Sequence, residues 1–533
     1  MAAFFLSWQT AVALVGLYIA GWIVLVVYRT TFHPLAKFPG PKLAAMTFAY
    51  EGYYDVVRGG SYNEKLVELH KRYGPIMRIN PNELHCNDPK FIDEVYPVGS
   101  RRRDKSQYFL DTFGPKALKT GFGSRTHNIH RLRRGVMNKF FSKGSISKLE
   151  PMIHDLAQRL SDKILAKTGS GKPFDITMAY SCYTTEVIFT YCFGKKSGFM
   201  DQEDFEPNLR EPIYAGLANH HIGKQLPLLV KAMNMLPIPL MRMLSKELAL
   251  YIDTMFIGLG KHAANMREAY ENGTYEKMMG ERSTIFAEVW NSDLPAEEKS
   301  AERVGSEAAS LMGAGTETTA WTLSLLTFYL KTQPEIYERV TKELKTVVKD
   351  PRQLPSWSAL EQLPYLAATI LEAIRLSYGV STRLARAAPD EELIYRGTYT
   401  PLPTKSGVDS EPVQVEYVIP KNQFVSMSSY NIHANEEIFP DAGEFRPERW
   451  LNEEGERRKD LEPYMMSFGK GSRQCLGMNL AYCELYLGLT ALVLRVLPHL
   501  EIFETTVDDV KYHHDLFVPM AHPDSKGVRV TIE

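Results

Sequence analysis

Phe468-Gly-Lys-Gly-Ser-Arg-Gln-Cys475-Leu-Gly477 is the stretch on which the reading of this chain turns. A single cysteine sits in a glycine-rich loop, two positions after Arg473. The run Met478-Asn-Leu-Ala-Tyr-Cys-Glu-Leu-Tyr-Leu-Gly-Leu follows at once and reads as a helix. A thiol just ahead of a helix N-terminus and beside a cation is expected as thiolate, because dipole and guanidinium both favour the anion. Glycine lets backbone come close to a flat ligand, and a thiolate with no partner cysteine suits axial ligation of haem iron. The competing reading makes Cys475 one more small buried apolar side chain, where free cysteines usually lie.

Five positions weigh against that bland reading. Phe468, Gly471, Arg473, Cys475 and Gly477 match F-x-x-G-x-R-x-C-x-G in full. The stretch resembles the haem-binding loop of the cytochrome P450 monooxygenases. The resemblance implies a mainly α fold with a small β-sheet region and one large haem domain. It implies haem b (iron protoporphyrin IX) as cofactor, with Cys475 as the axial iron ligand and Phe468, Gly471, Arg473 and Gly477 around it.

A second motif lies in the helical pattern over residues 300–331, where Leu311-Met-Gly-Ala-Gly-Thr-Glu-Thr-Thr-Ala320 is flanked by apolar residues on both sides. Such a helix should be buried, yet its middle holds two glycines, an acid and three threonines. Each glycine costs about 1 kcal/mol against alanine, and a buried unpaired carboxylate costs more. Gly313 and Gly315 are expected to let the helix bend, with threonine hydroxyls sharing the freed backbone bonds. An N-terminal capping cluster would use the same residue types, but apolar helical sequence runs on both sides. Ala314-Gly-Thr-Glu-Thr-Thr319 is similar to the family's [A/G]-G-x-[D/E]-T-T motif on the oxygen-binding side of the haem. By that resemblance Thr318 holds the oxygen ligand and Glu317 feeds protons inward.

Glu372 and Arg375 are three apart in a helical run and share one face. Alone such a pair means little, since surface helices carry many worth a few tenths of a kcal/mol. Phe445-Arg-Pro-Glu-Arg-Trp450 follows before the cysteine loop. Together they resemble the family's Glu-x-x-Arg helix and its F-x-P-E-R-[F/W] segment, so Glu372, Arg375 and Arg449 are expected to lock the thiolate loop structurally.

Haem carries two carboxylates that need cationic or hydrogen-bonding partners when buried. The candidates are Arg134, Arg386 and Arg473. Arg134 in His130-Arg-Leu-Arg-Arg134 matches the arginine of the family's W-x-x-x-R, with His130 in place of the tryptophan. Arg131 and Arg133 are read as solvated. With Lys139, Lys143 and Lys470 they would form a basic patch steering an acidic electron donor.

Composition agrees with a globular protein: 533 residues, 44% hydrophobic, 23% charged, formal charge −1. Nothing announces a nucleic-acid-binding face. Five scattered cysteines (Cys86, Cys182, Cys192, Cys475, Cys483) fit a reducing compartment, and no C-x-x-C pair supports zinc. The exception is the N-terminus. Residues 7–28 are uncharged and apolar, about the 20 residues that span a bilayer. A cleaved signal peptide would need a basic start and a shorter apolar core. Arg29 and Lys37 beyond the run put the remaining mass in the cytosol. The expected division is an anchor over 1–32, a Pro39-Gly40-Pro41 hinge within 33–45, and a haem-thiolate monooxygenase domain over 46–533.

Helices are expected over 149–166, 240–271, 300–331, 334–348 and 363–376, and strands over 75–80, 83–86 and 413–419. Residues 109–123 are a candidate pocket roof. The proline-broken apolar stretch 225–241 is read either as dipping into the bilayer near the anchor or as ordinary helix packing.

The resemblance implies a single-pass protein of the endoplasmic reticulum membrane fed by an NADPH-cytochrome reductase, with cytochrome b5 as a further donor. Its reaction inserts one oxygen atom from O2 into a lipophilic small molecule. Tyr73-Gly-Pro75, His130–Arg134 with Asn138-Lys-Phe-Phe-Ser142, and Leu376-Ser-Tyr-Gly-Val-Ser381 leading to Arg383 are similar to membrane-bound enzymes of filamentous fungi that decorate terpenoids and polyketides. The alternatives are a sterol or fatty-acid hydroxylase, a haem-thiolate isomerase, dehydratase or peroxygenase, and a membrane-tethered haem or lipid carrier. The acid–threonine pair speaks against the oxygen-independent enzymes and the carrier.

Overall fold

The computed structural model describes residues 8–275, 284–401 and 411–533, with residues 234, 238, 247 and 248 as backbone only. The first seven residues of the expected anchor lie outside that set. Two compact units are woven from the chain: one runs to Ser106 and includes Arg383–Met427, the other comprises Gln107–Thr382 and Ser428–Glu533.

The smaller unit begins with the anchor. Trp8–Val27 is α-helical and Tyr28–Phe32 continues it as a wider π turn, giving a 25-residue apolar span with no buried side chains in its α-helical part. At 1.5 Å per residue that exceeds the roughly 30 Å of bilayer hydrocarbon. The Pro39–Pro41 segment is docked rather than free. The Arg78 amide donates to Pro39 O at 2.7 Å, and a Cβ on Gly40 would meet Arg78 O at 2.4 Å.

The expected strands appear as Ile76–Asn80, Glu83–Cys86 and Val413–Ile419. The first two pair antiparallel and join a five-stranded sheet with Phe424–Ser426, Arg386–Ala387 and Asp104–Lys105, while Val413–Ile419 forms a separate hairpin with Leu393–Tyr399. Tyr62, Leu66, Leu69, Met77 and Ile79 make the apolar core beside the sheet. Buried charge here is engaged: Arg383 bonds Glu51 and stacks on Tyr62 at 4.7 Å, and Arg78 donates to Arg29 O and Pro81 O at 2.7 Å.

The larger unit is helical. Glu150–Leu165, Ala301–Thr332, Pro334–Val347 and Pro364–Leu376 match expectation within a residue or two. The helix expected over 240–271 is instead broken into Ile238–Leu244, Lys246–Tyr251, a π turn Ile252–Gly258 and Leu259–Glu271. Met478–His499 is apolar enough to cross a membrane but lies largely inside the protein, as a core helix does.

Ala301–Thr332 is the central helix, capped by the Ser300 hydroxyl accepting from the Arg303 amide. It stays helical throughout, past Gly313 and Gly315. Packing gives Gly315 a role of its own: an added Cβ would lie 3.1 Å from Ile188 of the neighbouring helix Ile176–Phe193. Along that contact buried hydroxyls pair across the helices. Tyr180 OH lies 2.6 Å from Thr327 Oγ1, Ser324 Oγ donates to Thr177 Oγ1 at 2.9 Å, and Thr184 Oγ1 donates to Thr316 O at 2.7 Å. These bonds satisfy polar groups that would otherwise make burial costly.

Two predictions follow from this architecture. Gly315→Val should destabilise the larger unit by about 1–3 kcal/mol through overpacking, and Ile188→Ala in the same chain should return part of the loss; urea unfolding measures both. In the smaller unit His70 Nε2 lies 2.7 Å from His85 Nδ1, and both rings are buried. Burial pushes His70 down to about 4 and His85 well below its usual value. The unfolded chain therefore takes up protons first. Stability should be undiminished above about pH 6.5 and fall by up to about 1.4 kcal/mol per pH unit per histidine towards pH 4. Equilibrium unfolding at pH 7.5, 6 and 5 checks this, and His85→Phe should flatten the slope.

Candidate active site

The loop before Met478–Ala491 folds back on itself. The Cys475 amide donates to Phe468 O at 2.7 Å, and Gly469 and Gly471 take the left-handed backbone (φ 64° and 73°) that the turn demands. Phe468 stacks its ring 5.3 Å from Tyr482 on the following helix, and Gly477 is that helix's N-cap residue. Of the five cysteines, Cys475 alone is exposed; the others are buried. That removes the reading of Cys475 as an ordinary core thiol.

Its electrostatics differ from the sequence expectation. Surrounding protein pushes the Cys475 thiol up, and the Gly477 amide and the Arg134 guanidinium only partly oppose this. Arg134 rather than Arg473 is the cation that counters the rise. Arg473 donates to Ser124 O at 2.8 Å and Arg125 O at 2.9 Å, strapping the cysteine loop to the segment ahead of helix His127–Asn138.

Glu372 is the hub beneath this loop. It is fully buried and accepts from Arg375 (2.9 and 2.7 Å), Arg449 Nε (2.8 Å), Trp450 Nε1 (2.9 Å) and the Arg446 amide (3.0 Å). Burial opposes its charge, but the two arginines and Trp450 outweigh it and hold the carboxyl below its usual value. Arg375 also donates to His433 O, Ala442 O and Glu444 O. The structure thus joins Glu372, Arg375 and Arg449 as the sequence indicated. It adds three residues that the sequence did not reveal. Trp450 stood in the motif without an assigned role. His433 bonds Arg375 O and the Met466 amide. Gly379 (φ 62°) lets the turn after the helix press on the loop, since a Cβ there would lie 2.0 Å from Ser467 O.

The central helix offers a second accessible surface. Ala314 and Thr318 are exposed in mid-helix, with Leu311 and Gly315 partly so, and these four share one face. Thr318 Oγ1 donates to Ala314 O at 2.8 Å, leaving the hydroxyl lone pairs to accept. Glu317, about 100° round the helix, is buried. It accepts from Ser181 Oγ at 2.6 Å and pairs with Arg210 at 2.7 Å. Arg210 stacks on Tyr214 at 4.6 Å; burial works against its charge, but Tyr214, Glu317 and Asp175 hold it firmly protonated. Glu317 and Thr318 are thus neighbours in sequence on different faces.

The cations divide. Arg134 donates to Asn138 Oδ1 at 3.0 Å and to Gln474 O, beside Cys475. Arg386 is buried in the smaller unit, donating to Ala385 O at 3.0 Å with its guanidinium 5.4 Å from the Tyr96 ring. Arg133 is not solvated. It bonds Glu298 at 2.8 Å, and Glu298, Arg303 and Glu307 continue the chain of charges to the Gly121 amide. Lys139 pairs with Glu288 and Lys143 with Glu361, so the expected basic patch is largely neutralised. In the roof region Phe113 and Phe122 lie 5.5 Å apart, each within 6 Å of Phe517. Leu228 and Met235 of the apolar stretch 225–241, and Met243 and Leu244 just beyond it, are exposed.

This donor set fits a haem: one accessible sulfur on a braced loop, with Arg134 beside it. Comparison with known proteins points the same way. Residues 52–501 match the family model Cytochrome P450. The chain is 40% identical over 483 residues to the cytochrome P450 monooxygenase ppzE of Metarhizium majus, covering 89% of this chain and 97% of that one. It is 35% identical over 525 residues to the fusicoccadiene C-8 hydroxylase of Phomopsis amygdali (96% and 94%). It is 36% identical over 510 residues to the tryptophan 6-hydroxylase fscE of Fusarium equiseti (96% and 94%).

Removing Arg375 should leave Glu372 as a buried carboxylate with too few donors, a change of about 3–5 kcal/mol. Arg375→Ala is expected to yield chain without haem, measured as haem per polypeptide, rather than loaded protein with an altered rate.

Proposed function

The chain belongs to the cytochrome P450 family and is a monooxygenase; on that premise we propose that Cys475 ligates haem b and that the substrate is a lipophilic intermediate of fungal secondary metabolism. Haem ligated by a thiolate supplies the oxidising power, with O2 as oxygen source and a redox partner as electron source. The exposed Cys475 on a loop braced by Glu372 is the observation that carries the reading.

The chain's own residues bind, orient and handle protons. Phe468, Gly471 and Gly477 shape the loop around the sulfur, and Arg134, Arg386 and Arg473 are the candidates for the haem carboxylates. Arg473 already spends two nitrogens on carbonyls, which leaves Arg134 the stronger of the two candidates in the larger unit. Thr318 presents a hydroxyl on the accessible face of the central helix and would serve there as a hydrogen-bond partner, accepting while its own proton stays on Ala314 O and donating once that bond is released. Glu317 can turn towards the accessible face only when its pair with Arg210 and its bond from Ser181 open. Residues 46–533 act together as the haem-thiolate domain.

A terpenoid or polyketide substrate is supported by the fusicoccadiene hydroxylase among the relatives; the tryptophan hydroxylase keeps an aromatic substrate as the second reading, which the ring cluster Phe113, Phe122 and Phe517 favours. The anchor helix supports a single-pass placement in the endoplasmic reticulum membrane, facing the cytosol and an NADPH-cytochrome reductase, with cytochrome b5 as a further donor. The exposed leucines and methionines of 228–244 then meet lipid, from which an apolar substrate enters.

Co-expression with such a reductase, followed by metabolite profiling of a host fed candidate terpenes and indoles, tests the reading. A product gaining one oxygen atom from 18O2 is expected. Cys475→Ser should abolish both the thiolate-type carbon monoxide spectrum and the product. Thr318→Ala should keep haem and spectrum while product formation falls by about a hundredfold.

A further inference from the structure

We propose that His433 is a positioning residue for the cysteine loop, acting as a neutral imidazole that pins the Met466 amide to the end of the Glu372–Arg375 helix. The inference rests on Cys475 being the iron ligand.

His433 closes helix Ser429–His433 and is fully buried. Nδ1 lies 2.9 Å from Arg375 O, and the Met466 amide donates to Nε2 at 2.8 Å. An amide can donate only to a bare ring nitrogen, so Nε2 carries no proton and Nδ1–H donates to the carbonyl. One tautomer is fixed by two backbone partners from separate segments. Arg375 returns the contact by donating to His433 O at 3.0 Å, so the two residues hold each other's backbone.

The surroundings keep the ring neutral. Arg375 and Lys470 are the cations near it, Tyr378 stacks at 5.9 Å and Phe439 meets it edge-on at 6.0 Å. Glu372, the nearest acid in this network, is engaged by Arg375, Arg449 and Trp450. Burial first, then Arg375, pushes His433 down to about 3.

Met466 stands two residues before Phe468, whose carbonyl receives the Cys475 amide. Imidazole, pinned amide, Phe468 carbonyl and cysteine amide form one short path from the helix end to the sulfur-bearing residue. Ser467 adds a parallel tie, its hydroxyl donating to Ile374 O at 2.6 Å. What His433 contributes beyond packing is an acceptor at one point, the Nε2 position.

Two conservative variants separate that point from the rest of the ring. Glutamine places an oxygen where Nε2 was, and asparagine places its amide where Nδ1 was. The measurement is the share of purified, haem-loaded full-length protein showing the thiolate-type carbon monoxide spectrum, with haem content and thermal midpoint in parallel. H433Q is expected within about twofold of wild type. H433N is expected to lose at least about fivefold of the thiolate share at comparable haem content. An asparagine variant that keeps the thiolate share, or a glutamine variant that loses as much as asparagine, overturns the proposal. Wild-type holoprotein gives a test that needs no variant to fold. The Met466 amide should exchange hydrogen at least tenfold more slowly than an unprotected amide, and an unprotected rate overturns the pin. Failure of the underlying reading looks different, since wild type itself would then lack the thiolate-type spectrum.

Discussion

Everything near the cysteine depends on one carboxylate taken out of water. Glu372 has no exposed surface and would cost several kcal/mol if left unpaired. Arg375, Arg449, Trp450 and the Arg446 amide surround it, so the charge is compensated only when its own helix and the segment Arg446–Trp450 are both in place. Arg375 then spends its remaining donors on His433 O, Ala442 O and Glu444 O. Those carbonyls belong to a stretch with little regular structure, where backbone acceptors lack a ladder to satisfy them. The guanidinium replaces the ladder. An irregular segment becomes as determinate as a helix, and the cysteine loop inherits that order through His433, Ser467 and Gly379.

The central helix shows the complementary principle, one element serving opposed surroundings. The face of Ala314 and Thr318 is left accessible, while the face towards Ile176–Phe193 is closed by Ile188 and paired hydroxyls. Polar residues that look destabilising in a buried helix are stable because each meets a partner across the contact. Gly305 follows the same logic: its Cβ would lie 3.2 Å from Gly260 Cα on Leu259–Glu271, so the helices approach where neither carries a side chain.

Local pattern was enough to read most of this from the residues. The anchor and most long helices are encoded in spacing, and the cysteine loop and the Glu372–Arg375–Arg449 set were reached through the resemblance of their motifs to those of the family. Tertiary pairing was not legible. Nothing in Arg133 announces that Glu298 will meet it, since the two are far apart in sequence and an arginine on a basic helix reads as solvated. The packing role of Gly315 was hidden because its partner Ile188 is on another helix. His433 carries no motif at all; its meaning lies in two backbone atoms, Arg375 O and Met466 N, that no side-chain pattern records. The break in 240–271 was missed because apolar periodicity continues across Ser245 and the π turn alike.

Cysteine electrostatics bring these strands together. A helix N-terminus and a nearby cation usually lower a thiol pKa, yet the protein around Cys475 pushes its thiol up against the Gly477 amide and Arg134. Under the proposed ligation of haem iron by Cys475 the metal would supply the missing term, since a coordinated thiol gives up its proton outright. What remains for the polypeptide is geometric: keep the sulfur reachable, hold its amide on Phe468 O, and set Arg134 close by. That division explains why the buried ionic hub lies beneath the loop and not at the sulfur. Charge is invested in fixing backbone position, and ionising the sulfur would fall to the iron that we propose it binds.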